Sequence, residues 1–140
     1  MTQAQTEDLL RQYFAALASG DIDATLAYVS DAVVHDVNQG GERRVGKDRL
    51  NAYLARMAHH YRETISDLVL MITPDGSRAA AEYNVSGVYI ATEDGLPPAA
   101  DQTYQLPAGT FFAVANGRIT RITHYYNLTD WITQITAVDL

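Results

Sequence analysis

The sequence predicts an α+β fold, and three observations lead to this class. Apolar residues recur at helical spacing in the first half of the 140-residue chain. In the second half, apolar and polar residues alternate between turn signals, as in antiparallel strands. Neither an internal repeat nor a linker divides the chain, so one domain over residues 1–140 is expected.

Three helices are predicted before the sheet. The first has Thr6 as a possible N-cap and ends at Gly20, and its apolar positions are Leu9, Leu10, Tyr13, Phe14 and Leu17. The second starts at Asp21 as N-cap and carries Ile22, Leu26 and Val29. The strand "AVVHDV" and a Gly-rich loop, "NQGGERRVG", precede a third helix marked by Leu50, Tyr53, Leu54, Met57 and Tyr61.

Hairpins are predicted in the second half. The strands "TISDLVLMI" and "RAAAEYNVSGVYIA" flank the turn "TPDGS", and the loop "TEDGLPPAADQ" follows them. The strands "TYQLPAGTFFAVA" and "RITRITHYYN" flank the turn "NG", which is a strong hairpin signal. The tail "LTDWITQI" is compatible with a short helix or a final strand.

Composition narrows the possible partners and compartments. The net charge of -7 and the absence of a long basic block argue against nucleic acid and anionic membranes. The chain has no cysteine, no signal peptide pattern at its N-terminus and no apolar stretch of membrane-spanning length, so a cytoplasmic protein is expected. Its four histidines form no metal-binding array, and no metal is expected.

The stretch "VVHDVN" places an acid in an apolar strand. By alternation, Val34, Asp36 and Asn38 share one face, and the other face carries His35. If the helices pack on the Asp36 face, the buried carboxylate is either held by hydrogen bonds or set up for proton transfer. If the strand instead frays there, Asp36 caps the Gly-rich loop in water.

Tyr13 is also open to two interpretations. An aromatic residue on the apolar stripe of a helix usually belongs to the core. Together with an inward-facing carboxylate, however, it would supply a hydrogen-bond donor for an enolate oxygen beside a base that removes a proton next to a carbonyl.

Two long segments resemble known families. The segment "RQYFAALASGDIDATLAYVSDAVVHD" resembles the opening of the ketosteroid isomerases, and "GLPPAADQTYQLPAGTFFAVANGRITRITHYYNLTDWITQI" is similar to the SnoaL-like polyketide cyclases. Both families belong to the nuclear transport factor 2-like superfamily. The resemblance implies a cone-shaped α+β barrel, with three N-terminal helices packed on a strongly curved, mostly antiparallel mixed sheet around a deep apolar pocket.

The resemblance also implies a site. Tyr13 matches the oxyanion tyrosine of the isomerases, and Asp36 matches their catalytic base, whereas Thr110, or Gly109 in a shifted register, stands where they have a second acid. In the region where the cyclases often carry an acid, this chain has Asn127, with Asp130 three residues later. The residues expected to line the pocket are Val34, Asn38, Tyr83, Val85, Thr110, Phe112, Ile122, His124 and Tyr126.

Three functions follow from these expectations. The first is a cofactor-independent isomerase or cyclase that acts on a hydrophobic carbonyl compound, such as a steroid or polyketide, with Asp36 as base and Tyr13 as enolate donor. The second is a non-catalytic protein that binds a small apolar ligand, because a fold does not fix an activity. The third is dehydration or epoxide hydrolysis by Asp36 with His124. The resemblance further implies a homodimer through the outer face of the sheet.

Overall fold

The computed structural model describes residues 1–136, which form a six-stranded sheet and four helices. The helices are α1 (Gln3–Ser19), α2 (Ile22–Leu26), α3 (Lys47–His60) and α4 (Leu128–Thr136). The strands are β1 (Val29–Val37), β2 (Gly40–Val45), β3 (Tyr61–Ile72), β4 (Arg78–Tyr89), β5 (Gln102–Ala115) and β6 (Arg118–Tyr126). The predicted α+β class, with three N-terminal helices, is therefore confirmed.

The sheet is curved, mixed and unclosed. Its strand order is β2-β1-β6-β5-β4-β3, which leaves β2 and β3 as its two edges. Strands β1 and β6 pair in parallel, and the other neighbours are antiparallel. The parallel pair thus brings the first strand beside the last one.

Helix α1 begins earlier than the sequence pattern indicates. Its N-cap is Thr2, whose side chain accepts a hydrogen bond from the Gln5 backbone N–H at 3.1 Å. The Gln5 side chain in turn accepts from the Thr2 N–H at 2.9 Å, which completes a capping box. Thr6, the predicted cap, lies inside the helix, and its hydroxyl donates to the Gly76 carbonyl at 2.6 Å. Thr6 therefore ties α1 to the β3–β4 turn.

The Gly-rich segment after β1 is not a loop throughout. Residues Gly40–Val45 form the edge strand β2, which pairs antiparallel with β1 after a turn in which Asn38 has a φ of 56°. Because an edge strand can expose both faces, the polar sequence "GGERRV" lacks the apolar alternation that signals a strand. Tyr61, predicted in the third helix, instead begins β3, and the tail forms helix α4.

Aromatic side chains join α1 to the concave face of the sheet. The rings of Tyr13 and Phe14 on α1 lie 5.8 and 5.9 Å from the ring of Phe112 on β5. All three side chains are buried, and they pack edge to face. Within residues 1–136, no helix is both long and apolar enough to cross a membrane.

Candidate active site

The helices and the concave face of the sheet surround a cavity of about 740 Å³. Aromatic side chains supply much of its wall, and they come from α1, α3, the sheet and α4: Tyr13, Tyr53, Tyr83, Phe112, Tyr126 and Trp131. This volume is within the range of small-molecule sites, and an apolar wall with a few polar groups is typical of them. The cavity is therefore the candidate site.

Strand register decides which side chains of β1 reach the cavity. His35 pairs with Ile122 on β6 and with Arg44 on β2, and Ile122 pairs with Phe112 on β5. These four residues form a row across the sheet, and all of them line the cavity. Val37, two residues after His35, also lines it. The concave face of β1 is thus the His35 face.

Asp36 lies on the opposite, convex face, so the expectation that it shares a cavity with Tyr13 is wrong. It pairs with Thr123, which pairs with Phe111, and none of these three residues lines the cavity. Asp36 is only 4% exposed, and its Oδ2 lies 3.3 Å from Nε of Arg43. The predicted alternation is correct, but the helices pack on the other face. Asp36 is therefore placed to hold an ion pair rather than to meet a ligand.

Two further residues expected in the pocket wall do not line it. Val34 shares the convex face with Asp36, for the same reason of alternation. Asn38 follows β1 in the turn, and its Oδ1 accepts a hydrogen bond from the Tyr126 backbone N–H at 2.8 Å. Asn38 thus connects the end of β1 to β6.

The other predicted residues do line the cavity: Tyr13, Tyr83, Val85, Thr110, Phe112, Ile122, His124 and Tyr126. Thr110, which replaces the second acid of the isomerases, is hydrogen-bonded to Tyr83, with the two hydroxyl oxygens 2.7 Å apart. Whichever hydroxyl donates in this pair, the other keeps its own proton available. Burial raises the pKa of Tyr83 to about 12, so both groups stay protonated at neutral pH.

Two histidines in the cavity are neutral and lack hydrogen-bond partners on one nitrogen. Within residues 1–136, Nδ1 of His35 and Nε2 of His124 are buried and have no partner. Burial, followed by the nearby Arg44 and His124, lowers the pKa of His35 to about 4. Burial alone lowers the pKa of His124 to about 4. At neutral pH both rings are therefore uncharged and able to accept a proton.

Tyr13 presents a phenol that stays protonated. Burial raises its pKa, and the neighbouring Tyr83 and Tyr53 raise it further. The side chain is 5% exposed and lines the same cavity as the two histidines. A phenol in this setting can donate a hydrogen bond to a ligand oxygen, which is the role predicted for it.

Several polar residues of the cavity were not predicted. Tyr53 on α3 packs against His35 with ring centroids 4.5 Å apart, and its pKa is raised by burial and then by Glu63. Glu63 on β3 accepts a hydrogen bond from the Tyr104 hydroxyl, and burial raises the pKa of its carboxyl. Tyr53 lies on a predicted helix whose orientation in space was not predicted, whereas Glu63 precedes the predicted strand "TISDLVLMI", because β3 begins earlier, at Tyr61. No local motif marks either residue.

Gly87 makes the contact between Tyr104 and Glu63 possible. A Cβ at position 87 would lie 2.2 Å from the Tyr104 ring, which is much closer than a van der Waals contact. Because Gly87 pairs with both Glu63 and Tyr104, the ring crosses above it to reach the carboxylate. No group of three or more His, Asp or Glu side chains in residues 1–136 could hold a metal ion.

The curved, unclosed mixed sheet, with helices around an apolar cavity, defines the nuclear transport factor 2-like class of fold. A protein of this class from Burkholderia xenovorans LB400 superposes with a TM-score of 0.76 at 16% identity, covering 98% of this chain and 99% of that one. The profile of the SnoaL-like domain family matches residues 10–122. The chain therefore belongs to the SnoaL-like domain family, and the resemblance noted in the sequence is confirmed.

Similar solved structures point to one family assignment. A protein from Xanthomonas campestris pv. campestris is 44% identical, with a TM-score of 0.93, and the match covers 97% of this chain and 100% of that one. A protein from Pseudomonas putida KT2440 is 49% identical, with a TM-score of 0.91 and coverage of 97% and 99%. Both are provisionally named polyketide cyclases. A search of curated proteins finds no match.

Proposed function

We propose that the protein catalyses proton transfer at a carbon next to a carbonyl group, in the isomerisation or cyclisation of an apolar, polyketide-like compound. One observation carries this proposal: the imidazoles of His35 and His124, both neutral at neutral pH, line one cavity together with Tyr13. The names given to the two similar proteins support the class of substrate. The expected small apolar ligand and the homodimer stay predictions.

The histidines are the candidate bases. Because each has a pKa of about 4, each is already deprotonated at neutral pH and needs no further activation. An imidazole with so low a pKa is a weak base. It is therefore suited to removing an acidic proton, such as one on a carbon between two carbonyl groups. The apolar cavity wall keeps water away from the resulting enolate.

Hydroxyl groups are the candidate donors to the enolate oxygen. Tyr13 has a raised pKa and keeps its proton, so it donates without becoming charged. The Tyr83–Thr110 pair adds one further free proton on the same wall. These neutral donors replace the protonated acid of the ketosteroid isomerases, and we assign Tyr13 the main role.

A ligand-binding protein without catalysis is the second candidate. Catalytic histidines are commonly oriented by a hydrogen-bonded carboxylate. Within residues 1–136, neither His35 nor His124 is in an ion pair with an acid. This observation favours binding alone, and the following experiment separates the two candidates.

The test is hydrogen–deuterium exchange at the acidic carbon of 2-acetyl-1-tetralone, a neutral aromatic diketone, followed by proton NMR in D₂O. We expect the wild-type protein to accelerate exchange, and His35→Gln or His124→Gln to reduce the rate about 100-fold, with the larger loss identifying the base. Tyr13→Phe should reduce it about 100-fold as well. Asp36→Asn, on the convex face, is the control and should retain the rate within a few-fold.

Three results would contradict the proposal. If only Asp36→Asn abolished exchange in folded protein, the base would be Asp36. If all four variants matched the wild type, exchange would occur outside this site. If the diketone bound without exchanging, the protein would be a binding module. Circular dichroism of every variant shows whether a lost rate reflects lost folding.

A further inference from the structure

Arg44 brings a positive charge into the cavity beside the candidate base. It pairs with His35 across β1 and β2, and both side chains line the cavity. Its guanidinium carbon lies 5.0 Å from the ring centroid of Tyr53, whose ring in turn packs against His35. Cation–π contact of this kind holds an arginine in place without neutralising its charge.

Two acids of the cavity wall, Glu63 and Glu93, are engaged elsewhere. Glu63 accepts from the Tyr104 hydroxyl, and Glu93 accepts from Tyr61 and lies 3.1 Å from Nη1 of Arg56. Among residues 1–136, Arg44 forms no ion pair with any acid, whereas its neighbour Arg43 pairs with Asp36. Glu63 comes from β3 and Arg44 from β2, which are the opposite edges of the sheet. The cavity therefore has a free cation on the β2 side.

A free guanidinium on an apolar wall favours an anionic ligand. Charges in a partly enclosed, apolar site interact more strongly than charges in water, and a buried carboxylate requires a partner. The planar guanidinium can bind both oxygens of one carboxylate. Arg56, 5.6 Å from the same Tyr53 ring, is less suited to this role because Glu93 already balances its charge.

We propose that Arg44 is an anion-binding subsite of the cavity, and that the ligand is an apolar carbonyl compound that carries a carboxylate. This assignment of the ligand rests on the proposed function, because a carboxylate on Arg44 would hold the neighbouring part of the molecule beside His35. The subsite itself does not depend on catalysis. It predicts that an acid binds more tightly than its neutral isostere.

The experiment compares 6-phenylhexanoate with 6-phenylhexanamide, which have nearly the same shape and differ in charge. Binding at pH 7.5 is measured by isothermal titration calorimetry and by the fluorescence of Trp131, the single tryptophan, which lines the cavity. We expect the carboxylate to bind about tenfold more tightly than the amide. Arg44→Met should abolish this preference, and Arg44→Lys should retain part of it.

Arg49→Met is the matched control, because it removes the same charge from a surface ion pair with Glu42. It should keep the full preference for the carboxylate. Should Arg44→Met fail to fold, Arg44→Gln removes the charge with a polar side chain. Equal binding of acid and amide by the wild type, or an unchanged preference in folded Arg44→Met or Arg44→Gln, would overturn the subsite.

The two proposals can fail separately. Exchange of the neutral diketone without a preference for the carboxylate overturns the subsite and leaves the proposed function standing. A preference that depends on Arg44 without diketone exchange supports the subsite in a binding protein and rejects catalysis.

Discussion

The two faces of β1 carry neighbouring ionisable residues that have opposite surroundings. His35 and Asp36 are each 4% exposed, and a single position separates them along the strand. On the concave face, His35 has an unpartnered nitrogen and is neutral at neutral pH. On the convex face, Asp36 is paired with Arg43, whose side chain is 62% exposed. Burial alone therefore does not mark the candidate functional residue; the face of the strand that meets the cavity does.

The difference reflects how each face meets water. On the concave face the imidazoles of His35 and His124 are buried under the helices, and burial favours their neutral form. The convex face leaves large side chains such as Phe111 exposed, at 49%, and Arg43 can reach from water to the buried carboxylate. On the convex face an exposed arginine pairs with the buried acid, whereas on the concave face burial keeps the two imidazoles neutral.

The largest expected effect is a loss of stability in acid that originates on the concave face. The pKa of His35 and of His124 is about 4 in the fold and about 6.5 in the unfolded chain. As pH falls from 6.5 to 4, the unfolded chain binds protons that the fold does not, so stability falls and then levels below pH 4. Over this pH range, each histidine should lower the free energy of unfolding by roughly 3 kcal/mol.

Urea unfolding at pH 7 and pH 4.5 measures this dependence. In the double variant His35→Gln, His124→Gln, stability should fall much less between pH 7 and pH 4.5 than in the wild type. His59→Gln, on α3 outside the cavity wall, should show the wild-type decrease in stability. An equal decrease in the double variant would locate the acid sensitivity elsewhere in the chain.

The next effect compares glycines on the two faces. Gly87→Ala on the concave face should cost about 3 kcal/mol, because the added carbon would overlap the Tyr104 ring. Gly109→Ala on the convex face should change stability by no more than about 0.5 kcal/mol, since its Cβ would meet only the Ala81 carbonyl at 3.6 Å. Thermal unfolding of both variants tests the contrast, and equal losses would show that the close Tyr104 contact is not present.

The smallest effect concerns the ion pair on the convex face. Arg43→Met should destabilise the fold by about 2 kcal/mol, because it leaves the buried Asp36 carboxylate without its cation. Asp36→Asn should cost about 1 kcal/mol, since Arg43 stays hydrated. The double variant should be more stable than Arg43→Met alone. Additive losses in urea unfolding would show that the two side chains do not interact.

The fold could be predicted from the sequence because helical spacing, caps and turns are local patterns. The resemblance to known families, in addition, extends over long segments. Helical spacing, the "NG" turn and the Asp21 cap all appear in the structure. The capping box at the start of α1 is also visible in the sequence, since Thr2 and Gln5 have the required spacing. Strand β2 was missed because its residues are polar on an edge.

The candidate site was predicted only in part, for a different physical reason. Alternation shows which side chains of β1 share a face. The same pattern results whichever of the two faces points to the core. The choice between His35 and Asp36 depends on which face the helices cover, and this is a tertiary property. Arg44 was missed together with its strand, β2, and Tyr53 was missed because its direction toward the cavity is also a tertiary property, whereas Tyr13 and His124 lie on elements whose apolar face was evident.

The parallel pairing of β1 with β6 has a consequence for synthesis. His35 lies in the first strand and His124 in the last, and only the pairing of these strands brings the two residues into one wall. A contact between such distant segments forms late, because the long intervening chain must first be closed into a loop. A growing polypeptide on the ribosome can therefore hold its early helices, but it cannot present a complete binding site until β6 has emerged.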